Sequence, residues 1–333
     1  MTSDAILSVR NVTKRFGGRG DFIARGLSRI GLAEPNAVVH AVEDVSFDLR
    51  KGEVLGVVGE SGCGKSTLGR MVAGLLDPSE GEIVAQASGA TTGALPMQMI
   101  FQDPFSSLNP RKRVSELIGE APRVHGIVPP DALDAYVADM MDRCGVDGNY
   151  RDRFAHQFSG GQRQRIGIAR ALAVRPEILV CDEAVSALDV SIQAQIVNLF
   201  MDLRDELGLT YIFISHDLGV VEHISDRILV MYLGRIVESG PAEQIFADPQ
   251  HPYTRALIEG VPRLERRRTV YAPIKGDIPS PIDPPKGCHF HPRCPLAQPQ
   301  CKVERPALRD IAGGRQAACH LIERPAKKEI SIG

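Results

Sequence analysis

Apolar and polar residues alternate from Ile6 to Val12 and again from Ala41 to Leu49. A period of two is that of a strand with one buried face, so both stretches are read as strands. Val54 to Val58 is a short apolar run that ends in a Gly-rich turn, the pattern of a strand buried on both faces. Ile178 to Cys181 and Tyr211 to Ile214 have the same character. Lys65 to Ala73 is predicted to be the helix that follows the first of these buried strands. Gly160 to Ala173 places Ile166, Ala169 and Leu172 on one helical face. Val114 to Cys144 reads as helix-rich, broken at Pro122 and at Pro129-Pro130, and the Gly/Arg-rich stretch Gly17 to Asn36 reads as an inserted loop. Strands alternating with helices in this way predict an α/β fold.

Composition narrows the picture. The chain has 333 residues, enough for a sizeable core and a second, smaller unit. A net charge of −2 supplies no global basic field, so no nucleic-acid partner is expected. No apolar run reaches the length of a membrane span, and the start lacks the pattern of a signal peptide. The expected location is therefore the cytoplasm, where seven cysteines point away from disulfides. Cys63, Cys144 and Cys181 are read as small packing residues. Eleven of the 23 prolines and four of the seven cysteines lie from Pro262 onward. That shift marks a separate, loop-rich C-terminal module beginning near residue 261.

The turn after Val58 runs Gly59, Glu60, Ser61, Gly62, Cys63, Gly64, Lys65, Ser66, Thr67. It matches G-x-x-x-x-G-K-[ST] between a buried strand and a helix, the context in which that motif cradles nucleotide phosphates. Glycines let backbone N–H groups converge on phosphate oxygens, and the helix turns its positive end toward the same anion. Lys65 is expected to bridge the β and γ phosphates of ATP and Ser66 to ligate Mg²⁺. Ile178 to Glu183 adds four apolar residues and then two acids. Asp182 is placed near the Mg²⁺, and Glu183 is placed to orient or deprotonate the attacking water.

Phe158 to Arg170 reads F-S-G-G-Q-R-Q-R-I-G-I-A-R, and its Ser159, Gly160, Gly161, Gln162 core resembles the signature of ABC ATPases. Gln102 in I-F-Q-D-P resembles the Q-loop glutamine, which in that family also ligates the Mg²⁺. Ser186 to Asp189 resembles the D-loop, His216 in I-S-H-D the switch histidine, and Phe16 the aromatic that stacks on adenine. The resemblance implies a P-loop NTPase fold: a nucleotide-binding domain over residues 1–260, with a helical subdomain at about 103–175, and a C-terminal module over 261–333. It implies that two such domains pair head to tail, each ATP lying between one P-loop and the other chain's signature. F-Q-D-P-F-S-S-L-N-P-R at Phe101, S-A-L-D-V-S-I-Q-A-Q at Ser186, H-P-Y-T-R-A-L at His251 and G-C-H-F-H-P-R-C at Gly287 resemble the ATPases of oligopeptide and dipeptide importers, and the Gly59 to Thr67 loop and the long early insert look more like the second of their two ATPases. The implied partners are two transmembrane permeases, a related ATPase subunit or a second copy of this chain, and indirectly an extracytoplasmic binding protein. The implied location is the cytoplasmic face of the membrane, with Asp103 to Val114 against the permeases. Nickel chelates, glutathione or oligosaccharides remain alternative cargoes. A soluble, non-transport ABC ATPase is the remaining alternative, but no coiled coil interrupts Lys65 to Ser159 and only one P-loop occurs.

Cys288, Cys294, Cys301 and Cys319 follow as C-x5-C-x6-C-x17-C among glycines and prolines. Four thiolates suit either tetrahedral Zn²⁺ or a [4Fe–4S] cluster. The importer resemblance implies the cluster. His289, His291 and His320 are read as flanking rather than ligating, and the basic run Arg266 to Arg268 as a solvated face.

Overall fold

A computed structural model describes residues 5–17, 37–86, 96–103, 107–260, 274 and 276–322. Residues 18–36 of the expected inserted loop, 104–106 of the expected permease-contact stretch and the basic run at 266–268 lie outside the described residues.

Three antiparallel strands form a small sheet in the order β2-β1-β4, from β1 (Ala5–Phe16), β2 (Val39–Arg50) and β4 (Glu80–Ala85). The main sheet runs β10-β11-β9-β8-β3-β7-β6-β5. Its centre is parallel: β3 (Val54–Val58), β7 (Thr210–Ile214), β6 (Ile178–Asp182), β5 (Met97–Ile100) and β8 (Arg227–Tyr232). β9 (Arg235–Pro241) joins antiparallel to β8. The central strands are mostly apolar because both faces are covered. Their alternation divides the residues between two cores. Leu55, Val57, Val180, Ile212 and Ile214 face the small sheet and α1 (Lys65–Val72). Val54, Val58, Leu179, Cys181, Tyr211 and Phe213 face the helices of the other layer.

That second layer includes α2 (Val114–Val124), α3 (Leu133–Arg143), α4 (Gly160–Leu172) and α5 (Val190–Leu207), with Ile118, Met141, Ile166 and Phe200 in its core. α2 does not break at Pro122 as its sequence suggested. It continues to Val124, giving up the bond from position 122 to the Ile118 carbonyl, while the Pro122 carbonyl accepts from the Ile127 N–H at 2.9 Å. The buried Pro122 ring also packs inward.

Beyond α6 (Leu218–Ile224), α7 (Ala242–Ala247) and α8 (Pro252–Glu259), the described C-terminal residues are mostly loop, as their Pro content predicts. They hold α9 (Pro299–Val303) and the hairpin β10 (Arg309–Ile311) and β11 (Arg315–Ala317). β11 pairs antiparallel with β9, Gln316 opposite Ser239, so the module extends the main sheet. Among the described residues no helix is long and apolar enough to cross a membrane.

Candidate functional site

β3 delivers the chain into the Gly59–Thr67 loop, and its burial on both sides fixes where the loop starts. Gly59 and Gly64 have φ of 151° and 105°. A Cβ at Gly59 would lie 2.2 Å from the Met231 carbonyl oxygen, and one at Gly64 would lie 2.1 Å from that of Ala41. Only glycine fits either position. Gly64 is the N-cap of α1, so the first N–H groups of that helix open into the loop. Cys63 is buried beneath the loop, where burial pushes its thiol up.

Lys65 is 4% exposed, and its Nζ donates to the carbonyls of Gly59 (2.8 Å) and Glu60 (3.0 Å). The ammonium thus lies inside the ring of the loop. Ser66 Oγ donates to Asp182 Oδ1 at 2.7 Å. Asp182 ends β6 and is buried, and burial is the main cause that lifts its carboxyl above the usual range, against the Ser66 hydrogen bond. A buried carboxylate paired with a neutral hydroxyl is an oxygen donor set suited to a hard cation such as Mg²⁺.

The next residue, Glu183, takes a left-handed turn at φ 50° and donates its N–H to the Ile214 carbonyl. The turn points its carboxylate along the ends of β5 and β7. Glu183 Oε2 accepts from Gln102 Nε2 at 3.0 Å and lies 3.3 Å from His216 Nδ1. Gln102 lies just after β5 and the exposed His216 just after β7. Three residues far apart in sequence thus meet where parallel strands end, the usual place for a ligand in such sheets.

A cleft of about 440 Å³ joins this group to the loop. Ser61, Gly62, Gly64, Lys65, Ser66 and Thr67 line it together with Gln102, Glu183 and Phe16. Pro281 from the C-terminal module also lines it, accepting from the His40 N–H at 2.9 Å. The sequence offered no signal for this contact. A second was equally hidden: Arg293 forms an ion pair with Glu60.

Ser159, Gly160, Gly161, Gln162 and Asp189 do not line that cleft. Ser159 caps α4 in a reciprocal capping box with Gln162. Asp189 caps α5, accepting from the Ile192 N–H, and these hydrogen bonds hold its carboxyl below the usual range. The two helix starts adjoin: a Cβ on Gly161 would meet Ile192 Cγ2 at 2.5 Å. The structure therefore gathers the expected nucleotide residues into two groups, one in the cleft and one on a separate, accessible face.

Cys288, Cys294, Cys301 and Cys319 are free thiols. Burial first, then the charges of the other three, pushes Cys288 up to about 11. All four thus lie within electrostatic reach of one another. Among the described residues, however, no three His, Cys, Asp or Glu side chains stand as a group able to hold a metal ion. His289 Nδ1 lies 3.3 Å from the Leu233 carbonyl, His291 Nδ1 2.9 Å from that of Cys288 and His320 Nε2 2.9 Å from that of Glu304.

A parallel sheet with this phosphate loop, its acid pair and a small antiparallel sheet defines an ATP-binding cassette. Residues 42–186 match the ABC transporter family, and residues 237–301 match the C-terminal region of oligopeptide/dipeptide transporters. The chain is 47% identical to a probable peptide ABC transporter ATP-binding protein of Sinorhizobium fredii, over 99% of this chain and 93% of that one. It is 46% identical to the oligopeptide transport ATP-binding protein AppF of Bacillus subtilis, over 96% of this chain and 98% of that one. Among solved structures, cbiO1 of Clostridium perfringens, part of an ABC transporter complex, superposes with a TM-score of 0.60 at 27% identity, over 74% of this chain and 92% of that one. A dimeric ATP-binding cassette bound to ADP and Pi shares the fold at a TM-score of 0.58 and 23% identity, over 71% of this chain and 98% of that one. The chain belongs to the ABC transporter family as an ATP-binding subunit, and it is an ATPase.

Proposed function

We propose that this chain is the motor of a di- or oligopeptide importer, working from the cytoplasmic face of the membrane on two separate permeases. The observation that carries the motor reading is the split between the two groups of residues. Glu183, Gln102 and His216 converge on the phosphate-loop cleft, whereas the signature at Ser159 to Gln162 stays outside it. A second ATPase, a related subunit or another copy, would complete the site with its own signature and D-loop. Ser159, Gly160 and Gly161 at the start of α4 suit the γ-phosphate because a helix N-terminus offers N–H donors.

Within one cleft each residue has a task. Phe16 stacks on the adenine. The amides of Gly59 to Thr67 and Lys65 Nζ hold the phosphates, and Nζ has a donor beyond the two it gives to the loop carbonyls. Ser66, Asp182 and Gln102 are the residues that would hold Mg²⁺, which neutralises phosphate charge when bound. Glu183 takes a proton from the attacking water, and His216, 3.3 Å from that carboxylate, orients it and the γ-phosphate. Loss of the γ-phosphate removes the bridge between the two chains, and the dimer opens. ATP binds the closed state better than the open one, so hydrolysis changes the shape passed to the permeases.

The peptide cargo is supported by the peptide-transport functions of the relatives and by the match at 237–301. Asp103 to Val114 is proposed to receive the permeases. A [4Fe–4S] cluster on Cys288, Cys294, Cys301 and Cys319 is proposed because the donor set is four free thiols within one loop-rich module.

One experiment tests motor and cargo together. The chain is purified with its neighbouring permeases in lipid discs, and ATPase activity is measured with and without peptide and binding protein. Peptide-stimulated turnover is expected, with Glu183→Gln at least about a hundredfold slower yet still holding ATP in a closed dimer. Wild-type turnover in Glu183→Gln would refute the role of Glu183. Hydrolysis without permease association or peptide response would refute the importer reading.

A further inference from the structure

Glu60 puts a carboxylate in the phosphate loop, where it would repel a triphosphate if it faced it. The structure shows how this acid is managed. Arg293 meets it with two prongs, Nη1 to Oε2 at 2.6 Å and Nη2 to Oε1 at 2.9 Å. The Arg293 side chain is 5% exposed and that of Glu60 22%, so the pair is largely shielded from water. Paired charges in this two-pronged geometry are among the stronger hydrogen-bonded contacts. The Glu60 carboxylate is turned away, and Glu60 is absent from the lining of the nucleotide cleft. Its backbone is held as well: the Glu60 N–H donates to Tyr253 Oη at 2.8 Å.

Both holding groups come from outside the ATPase motifs. Tyr253 lies on α8. Arg293 lies between Pro292 and Cys294, in a turn closed by its own N–H on the Phe290 carbonyl. Tyr232, Tyr253 and Phe290 pack against one another with ring centres 4.7–5.4 Å apart, so one aromatic cluster links the two groups. Tyr232 Oη accepts from Arg293 Nη1 at 3.4 Å, which fixes the guanidinium further.

We propose that Arg293 is a positioning residue of the ATP site: it neutralises and turns away Glu60, and with Tyr253 it makes nucleotide affinity depend on how the cysteine-bearing loop is docked. This rests on the assignment of Gly59 to Thr67 as the phosphate loop. By linkage, bound nucleotide must steady residues 288–301 to the same extent that their docking favours nucleotide.

The test is a double-mutant cycle in the full chain, read as MgATP affinity by calorimetry and as separate KM and kcat values. Arg293→Met leaves Glu60 unpaired beside the phosphates, and the dissociation constant is expected to rise about tenfold or more. Glu60→Gln added to it removes the repulsion and restores affinity to within about threefold of wild type, with KM moving more than kcat. A purely structural role for Arg293 would leave the double variant as weak as the single one. Unchanged affinity in Arg293→Met, or no rescue by Glu60→Gln, would overturn the proposal. Should Arg293→Met not fold, Arg293→Lys keeps the charge but loses a prong, and an affinity equal to wild type would count against the idea. Hydrogen exchange at 288–301 should slow on adding nucleotide in wild type and not in Arg293→Met; equal slowing in both would overturn the linkage. Lys65→Ala separates the two readings: nucleotide binding retained there would sink the phosphate-loop assignment itself, whatever Arg293 does.

Discussion

Gly64 carries the geometric demand of the site most clearly. Its φ of 105° lies where a Cβ is strained, and the space a Cβ would take is filled by the Ala41 carbonyl. Gly64→Ala is expected to cost about 1–3 kcal/mol of stability and to weaken MgATP binding beyond that loss, since the loop must open at α1. Thermal unfolding and a nucleotide titration measure the two effects, and unaltered affinity would contradict the assigned role of the loop. Residue types at Gly59 to Thr67, Asp182 and Glu183 were legible because each is dictated by local chemistry. The partners of Glu60 were not. Arg293 is 233 positions away, and nothing in either local sequence names the other.

At the scale of elements, the two-residue period and the short apolar runs placed β1, β2, β3, β6 and β7 in the order observed. Ends were harder to see. β1 runs on to Phe16 and β2 begins at Val39, because each pairs with the other through several register irregularities that no period reveals. α2 passes Pro122, whose ring is buried and whose carbonyl takes up the Ile127 N–H, contacts that the local sequence does not reveal. α4 shows an element serving two purposes. Ser159 caps it and is also the proposed contact for the γ-phosphate of a partner-bound ATP. Ser159→Ala should therefore lower stability by about 1 kcal/mol, leave MgATP binding to the single chain unchanged, and slow hydrolysis about a hundredfold. Chemical denaturation, nucleotide titration and turnover give the three readings. Weakened binding in the isolated chain would place Ser159 in its own cleft, against the split site.

At the scale of the whole molecule, the C-terminal module is continuous with the ATPase body. β11 adds to the main sheet at β9, Pro281 reaches the nucleotide cleft, and Arg293 reaches the phosphate loop. A cluster within this module would be a staple in a region with few regular elements. Anaerobically purified protein is expected to hold about four iron and four sulfide per chain, lost in Cys294→Ser. About one zinc and no iron would replace the cluster with a structural zinc site. The sequence by itself determined the α/β class, the places of several central strands along the chain, the phosphate loop and the family resemblance, because periodicity and short motifs are local properties of a chain. Only the tertiary structure decided that Glu183, Gln102 and His216 meet, that the signature stands outside the cleft, and that the cysteine-bearing loop grips Glu60. Those contacts depend on which strand ends lie side by side and on how the last residues fold back, and long-range packing sets both.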